Sequence, residues 1–194
     1  KETPIIVSTC RIAEQKGFDL ILDILPTILK RNVQFIIMGD GDKEYIKKLN
    51  KIKRKNPKKI VIINFDRKME TSLYAGADLF LLSSRFEPCG INQLISFRYG
   101  CVPIVRSTGG LSDTVINFDP NDYIGNGFTF KSYNSKELLV AVTRALETYK
   151  YKDVWKTLVK RGMKASFSWE LPAQRYIKLY KKAINFKYEK DNLG

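Results

Sequence analysis

Two permanent cations, Arg11 and Lys16, stand close together in the segment Cys10-Arg11-Ile12-Ala13-Glu14-Gln15-Lys16-Gly17. Arginine offers a planar fork of donors and lysine a mobile point charge, so together they suit two neighbouring phosphates. The competing role is a pair of solvated charges ahead of a helix. A second segment, Ser83-Ser84-Arg85-Phe86-Glu87-Pro88-Cys89-Gly90, sets one carboxylate before a proline, a thiol and a glycine. If a helix begins there, the free backbone N–H groups of Gly90, Ile91 and Asn92 form a seat for an anion. Pro88 fits such a turn because it has no N–H to leave unpaired. Glu87 then either grips a sugar hydroxyl or pairs with the helix dipole. Cys89 is either a thiol activated by the helix start or a small packing residue, the reading favoured by how often free cysteine is buried. Two glycine pairs are weaker signals. Gly39-Asp40-Gly41 lacks the third glycine of a dinucleotide fingerprint and reads as a turn. Thr108-Gly109-Gly110-Leu111 either brings backbone close to a ligand or turns the chain.

Composition removes other chemistries. The chain has no histidine, which excludes a histidine base, triad or metal ligand within it. Three scattered cysteines suit neither a disulfide framework nor a four-cysteine zinc site. No apolar run approaches the ~20 residues of a membrane span, and residues 1–9 do not read as a secretory signal. With 34 Lys and Arg against 20 Asp and Glu, the formal charge is +14. That sign suits phosphorylated ligands, an anionic surface or nucleic acid. The alternative reading is therefore a basic nucleotide- or nucleic-acid-binding module without catalysis, its footprint the dense run Lys51 to Lys59.

The elements that must position these residues follow from apolar patterning. Strands are expected over Pro4 to Cys10, Gln34 to Met38, Ile60 to Ile63, Leu79 to Leu82, Val102 to Val105 and Gly127 to Phe130. Between them, spacings of three and four predict helices. These cover Phe18 to Arg31, with Pro26 expected to kink or interrupt it, then Glu44 to Lys55, Lys68 to Ala77 and Gly90 to Tyr99. Three more follow: Ser135 to Tyr149, with Ser135 as its cap, Lys152 to Ala165, and Ser168 to Lys182. The expected organisation is one domain, 1–184, and a polar tail, 185–194. Strand–helix alternation of this kind predicts an α/β, doubly wound parallel sheet. With strand order 3-2-1-4-5-6, the order reverses between the first and fourth strands, and ligands sit at the carboxyl ends beside that reversal. The two loops there are the two segments that carry the chemistry.

Three runs also carry a resemblance. Ser8-Thr-Cys-Arg-Ile-Ala-Glu-Gln-Lys-Gly17, Ser84-Arg-Phe-Glu-Pro-Cys-Gly-Ile-Asn-Gln-Leu94 and Tyr99-Gly-Cys-Val-Pro-Ile-Val-Arg-Ser-Thr-Gly-Gly-Leu-Ser-Asp-Thr114 resemble bacterial glycogen synthases and plant starch synthases. The closing Phe167-Ser168-Trp169, Tyr176 and Leu179-Tyr180 extend the likeness to the last helix. The resemblance implies a retaining glycosyltransferase of two Rossmann-like domains, the GT-B architecture. This chain would be the C-terminal, nucleotide-sugar-binding one, with extra C-terminal helices. It implies a donor, ADP-glucose or UDP-glucose, an α-1,4-glucan acceptor, and no cofactor, metal or membrane. Its setting would be the bacterial cytoplasm or the plastid stroma. Arg11 and Lys16 would hold the diphosphate and stabilise it as it leaves, and Glu87 would bond glucose hydroxyls. The amides of Cys89, Gly90, Ile91 and Asn92 would meet phosphate and sugar, with Thr108 and Gly109 beside them. Phe65, which alone reads as core, would stack on the base.

Some positions depart from the family pattern. Asn92 replaces a usual Thr or Ser, Ser83 a Pro and Asn64 a Gly. Ile95 stands where wider relatives carry a second acid. No carboxylate pair for double displacement is visible. The resemblance further implies an N-terminal domain that supplies a Lys-x-Gly-Gly-Leu loop, the acceptor surface and a histidine. Without it, apolar surface near Trp169 and Tyr176 should lie exposed.

Overall fold

Six strands form one fully parallel sheet in the computed structural model, which describes residues 2–191. They are β1 (Ile5–Thr9), β2 (Gln34–Met38), β3 (Ile60–Ile63), β4 (Leu79–Leu82), β5 (Val102–Arg106) and β6 (Phe128–Phe130). The order is β3-β2-β1-β4-β5-β6, so the reversal lies between β1 and β4 as expected. The helices are α1 (Phe18–Ile28), α2 (Lys43–Lys55), α3 (Arg67–Gly76), α4 (Asn92–Arg98), α5 (Gly110–Thr114), α6 (Ser135–Tyr149), α7 (Lys152–Lys164) and α8 (Glu170–Asp191).

The strands are apolar on both faces because helices cover both. Alternate residues serve opposite cores. Ile6, Leu79, Leu81 and Ile104 join Phe18, Ile21 and Leu25 of α1 and Leu138 and Val142 of α6. Val7, Phe80, Leu82 and Val105 face Tyr74 of α3, Phe97 of α4 and Leu111 of α5. The β1–β4 pairing, Ile6 with Leu79 and Val7 with Phe80, fixes how far the two strand ends reach. It thereby aligns the loops that follow them.

Several element ends differ from the sequence pattern for identifiable reasons. Pro26 is carried within the last turn of α1, which stops at Ile28 rather than Arg31. Lys59 then donates to the carbonyls of Leu29 and Arg31, at 2.7 and 2.8 Å. That cation of the basic run is thus committed to holding a helix end. The cap of α6 is Asn134, not Ser135: its side chain accepts from the Glu137 amide at 2.9 Å from an extended backbone. Helix α4 begins at Asn92 because Gly90 takes a left-handed φ of 73°, which a helix cannot continue. Helix α8 runs from Glu170 to Asp191, past the Lys182 end expected from the sequence. Residues 192–194 of the expected tail lie outside the described residues.

Candidate functional site

The loops after β1 and β4 are fastened to each other. The Arg85 amide donates to the Gln15 carbonyl at 2.9 Å, and the Gln15 side chain returns a bond to the Phe86 carbonyl at 2.5 Å. Ser83 donates to the Gly17 carbonyl at 3.0 Å. This serine therefore ties the strand end to the first loop. The outcome is a direct ion pair: Lys16 Nζ lies 2.5 Å from Glu87 Oε2. Ser84 Oγ donates to the same oxygen at 3.1 Å. Glu87 is buried, so its charge is tolerable only because these donors face it. Arg11 is different. It is exposed, and its side chain makes no hydrogen bond or ion pair among the described residues.

At the same end of the sheet opens a cleft of about 410 Å³, which neither Lys16 nor Glu87 lines. Thr9, Cys10 and Arg11 line it from the β1 side, Gly39 and Asp40 from the β2 side, Phe65 from the β3–α3 connection, Glu70 from α3 and Asn92 from α4. Phe65 is 50% exposed, which rules out the core role its type suggests in isolation. Asp40 Oδ2 accepts from the Phe65 amide at 3.3 Å and so helps hold that residue at the rim. Asn92 donates from its side chain to the Thr9 carbonyl at 2.5 Å. Its side chain therefore serves to lock α4 onto β1, whatever its backbone amide does.

The glycine pairs prove to be contacts between loops. Ile12 donates to the Asp40 carbonyl at 2.9 Å, and Asp42 to the Ile12 carbonyl at 2.8 Å, so the turn after β2 is stitched to the loop after β1. It delivers Asp40 to the cleft, a site residue that the sequence pattern does not single out. The segment after β5 packs on the Glu87 loop: Gly110 N–H donates to the carbonyls of Glu87 and Pro88, at 3.2 and 3.1 Å. Gly109 has φ 47° and ψ −136°, and a Cβ there would collide with the Glu87 carbonyl oxygen. Gly109 and Gly110 thus brace the Glu87 loop, and neither Thr108 nor Gly109 lines the cleft itself.

A family model described as glycosyl transferases group 1 matches residues 1–161. The chain belongs to that family. Its similarity to glycogen synthases is high: that of Thermosipho melanesiensis is 44% identical over 187 residues, 95% of this chain and 39% of the relative. The glycogen synthase of Bacillus anthracis is 46% identical over 182 residues, 93% of this chain and 38% of the relative. The chain thus spans about two fifths of the length of the curated relatives it matches. Among solved structures, the catalytic domain of starch synthase IV from Arabidopsis thaliana, bound to ADP and acarbose, superposes with a TM-score of 0.86. The two are 31% identical over 95% of this chain and 39% of that one. The Rossmann-like sheet expected of a GT-B half is therefore the observed one, and the likeness read from the three motif runs holds along nearly the whole chain.

Two features of this glycosyl transferase group 1 chain lie beyond what its motifs suggest. Arg85 forms an ion pair with Glu14 at 2.7 Å, and Arg85 and Arg106 flank the Tyr133 ring, their guanidinium carbons 4.5 and 5.4 Å from its centre. Arg106 also donates to the Arg85 carbonyl at 2.5 Å. This cluster clamps the back of the Glu87 loop. Cys89, expected as a packing residue, is exposed, because the left-handed Gly90 turns the loop outward before α4 starts. Cys10 is half-buried at the cleft, and burial pushes its thiol pKa up to about 11. At pH 8 Cys10 is then almost wholly in its unreactive thiol form. A brief iodoacetamide pulse at that pH should label Cys89, leaving Cys10 and the buried Cys101 for the denatured chain. Peptide mapping reads the result, and rapid labelling of Cys10 would contradict it.

Proposed function

We propose that this chain is the donor-binding domain of a glycogen or starch synthase. Joined to an N-terminal domain, it transfers glucose from ADP-glucose to the non-reducing end of an α-1,4-glucan with retention. The observation that carries the reading is the Lys16–Glu87 pair at the carboxyl ends of β1 and β4, with Arg11 lining a cleft at the same end of the sheet. Arg11 and Lys16 hold the diphosphate and neutralise the charge that develops as it departs. The Phe65 face takes the base. Glu87, released from part of its pairing when phosphate claims Lys16, receives glucose hydroxyls. Positioning and charge neutralisation are the protein's share, with the leaving phosphate itself helping to take the acceptor proton.

The names of the similar proteins and the ADP bound to the starch synthase IV domain support the donor assignment. A row of exposed side chains on the last helix and just before it, Trp169, Tyr176, Leu179, Tyr180 and Ile184, supports a further domain packed there. No helix of the described residues is long and apolar enough to cross a membrane. A bacterial cytoplasm or plastid stroma is the setting this reading implies.

Calorimetric titration with ADP, UDP and ADP-glucose tests the donor site. ADP and ADP-glucose should bind, and added salt should weaken them far less than it would weaken a multi-phosphate nucleic-acid contact. The chain alone should elongate no malto-oligosaccharide, because one wall of a cleft cannot align an acceptor or exclude water. Turnover at ordinary enzyme rates would overturn the two-domain reading. Absence of any ADP binding would overturn the donor site.

A further inference from the structure

The cleft contains a carboxylate that the proposed function leaves without a task. Glu70 stands in the first turn of α3, shortly after Phe65, and its side chain lines the same cleft. Among the described residues it forms no ion pair, and it accepts one long hydrogen bond, 3.4 Å, from the Tyr74 hydroxyl. That hydroxyl in turn pairs with Thr9 Oγ1 at the end of β1. Glu70 is therefore aimed across the cleft toward β1 rather than out to solvent. An acid in a cleft meant for a diphosphate repels its ligand unless it bonds some other part of it.

We infer that Glu70 receives the 2′- and 3′-hydroxyls of the donor's ribose, an assignment that rests on the nucleotide reading above. With the base on Phe65 and the diphosphate reaching Arg11, the ribose that joins them lies in the cleft these two residues and Glu70 share. Glu70 is the lining group tied through Tyr74 to Thr9. An ionised carboxylate is an acceptor with two oxygens, and a vicinal diol presents two O–H donors to match. The other carboxylates nearby are engaged. Asp40 holds the Phe65 amide, and Glu87 holds Lys16 and Ser84. Helix α4 contributes none, and Ile95 packs against the apolar cluster on that face of the sheet.

The test is calorimetry on the full chain with ADP, 2′-deoxy-ADP, UDP and 2′-deoxy-UDP. Wild type should favour ADP over 2′-deoxy-ADP by roughly 10- to 100-fold, the range for one hydrogen bond to a charged group. The same preference should appear between the two uridine nucleotides. Glu70→Ala should bring both ratios close to one, and Glu70→Gln, whose amide oxygen still accepts, should leave an intermediate ratio. Tyr74→Phe should retain most of the preference. A purely structural Glu70 would lower affinity for both members of each pair and leave the ratios unchanged, which overturns the assignment. So does a change in ADP against UDP with the deoxy ratios unmoved, since Glu70 would then read the base. If Glu70→Ala does not fold, the Glu70→Gln ratio decides. Wild type that binds no nucleotide at all overturns the donor reading and this one together, a result distinct from ratios that fail to move.

Discussion

Lys16→Ala should cost the chain most of its affinity for ADP while leaving adenosine nearly untouched. The lost contact is charge-assisted, and bonds of that kind contribute about 1.5–3 kcal/mol, a loss of roughly 10- to 150-fold. Adenosine carries no phosphate, so it should bind the variant within about twofold of wild type if the base and ribose contacts survive. A second effect must be separated from the first. Removing Lys16 leaves Glu87 facing one donor, Ser84, in a site where the two paired side chains are only 21% and 11% exposed. Breaking a fully buried pair from one side costs about 3–5 kcal/mol. The residual exposure of Lys16 reduces this to about 1–3 kcal/mol of folding stability, measurable by urea denaturation. The double variant Lys16→Ala/Glu87→Gln removes the orphaned charge. It should recover most of the stability and none of the ADP affinity. Equal losses for ADP and adenosine would mean that Lys16 only supports the fold.

The sheet and the neighbourhood of the site are legible in the sequence because they depend on local pattern. The run Leu79-Phe80-Leu81-Leu82 has no polar face, as a parallel strand covered on both sides requires, and all four residues are buried. Once six such strands alternate with helices, the reversal between β1 and β4 selects two loops from the whole chain. What lies between those loops is not legible. Lys16 and Glu87 are far apart in sequence, and nothing local predicts that two residues assigned to different parts of a ligand bond each other first. Asp40 and Glu70 escape a sequence reading for a related reason. A single acid in a turn, or on a short amphipathic helix, reads as solvated, and only the packing of α3 against β1 through Tyr74 turns Glu70 inward.

Local detail fails where one backbone angle decides the outcome. The habit of its residue type sends Cys89 to the interior, but the left-handed Gly90 lifts it out. The sequence reading ends α8 at Lys182, but the helix runs on to Asp191. Phe65 is the opposite case. Its residue type argues for the core, the family resemblance for a ligand, and its position at the cleft rim excludes the core.

Gly109→Ala should be strongly damaging, although the residue is exposed and does not line the cleft. Its backbone, φ 47° and ψ −136°, is one that a residue with a side chain adopts only under strain, at about 1–3 kcal/mol. The added methyl also meets the Glu87 carbonyl oxygen, a backbone atom that no rotamer change can move aside. Either the segment after β5 lifts away, breaking the bonds from Gly110 to Glu87 and Pro88, or the Glu87 loop retreats toward Lys16. Both routes lower stability, by about 2–4 kcal/mol in all when lost hydrogen bonds are added to the strain. Both also displace the carboxylate assigned to glucose more than the cations assigned to phosphate. ADP-glucose should therefore lose more affinity than ADP. Gly76→Ala supplies the contrast: Gly76 ends α3, and the methyl it would gain meets nothing within 4 Å, so the change should add up to about 1 kcal/mol from helix propensity alone. Urea denaturation of both variants, with titrations of ADP and ADP-glucose, reads the two effects separately. A Gly109→Ala chain as stable as wild type, with its preference between the two ligands unchanged, would show that the loop after β5 does not hold Glu87 in place.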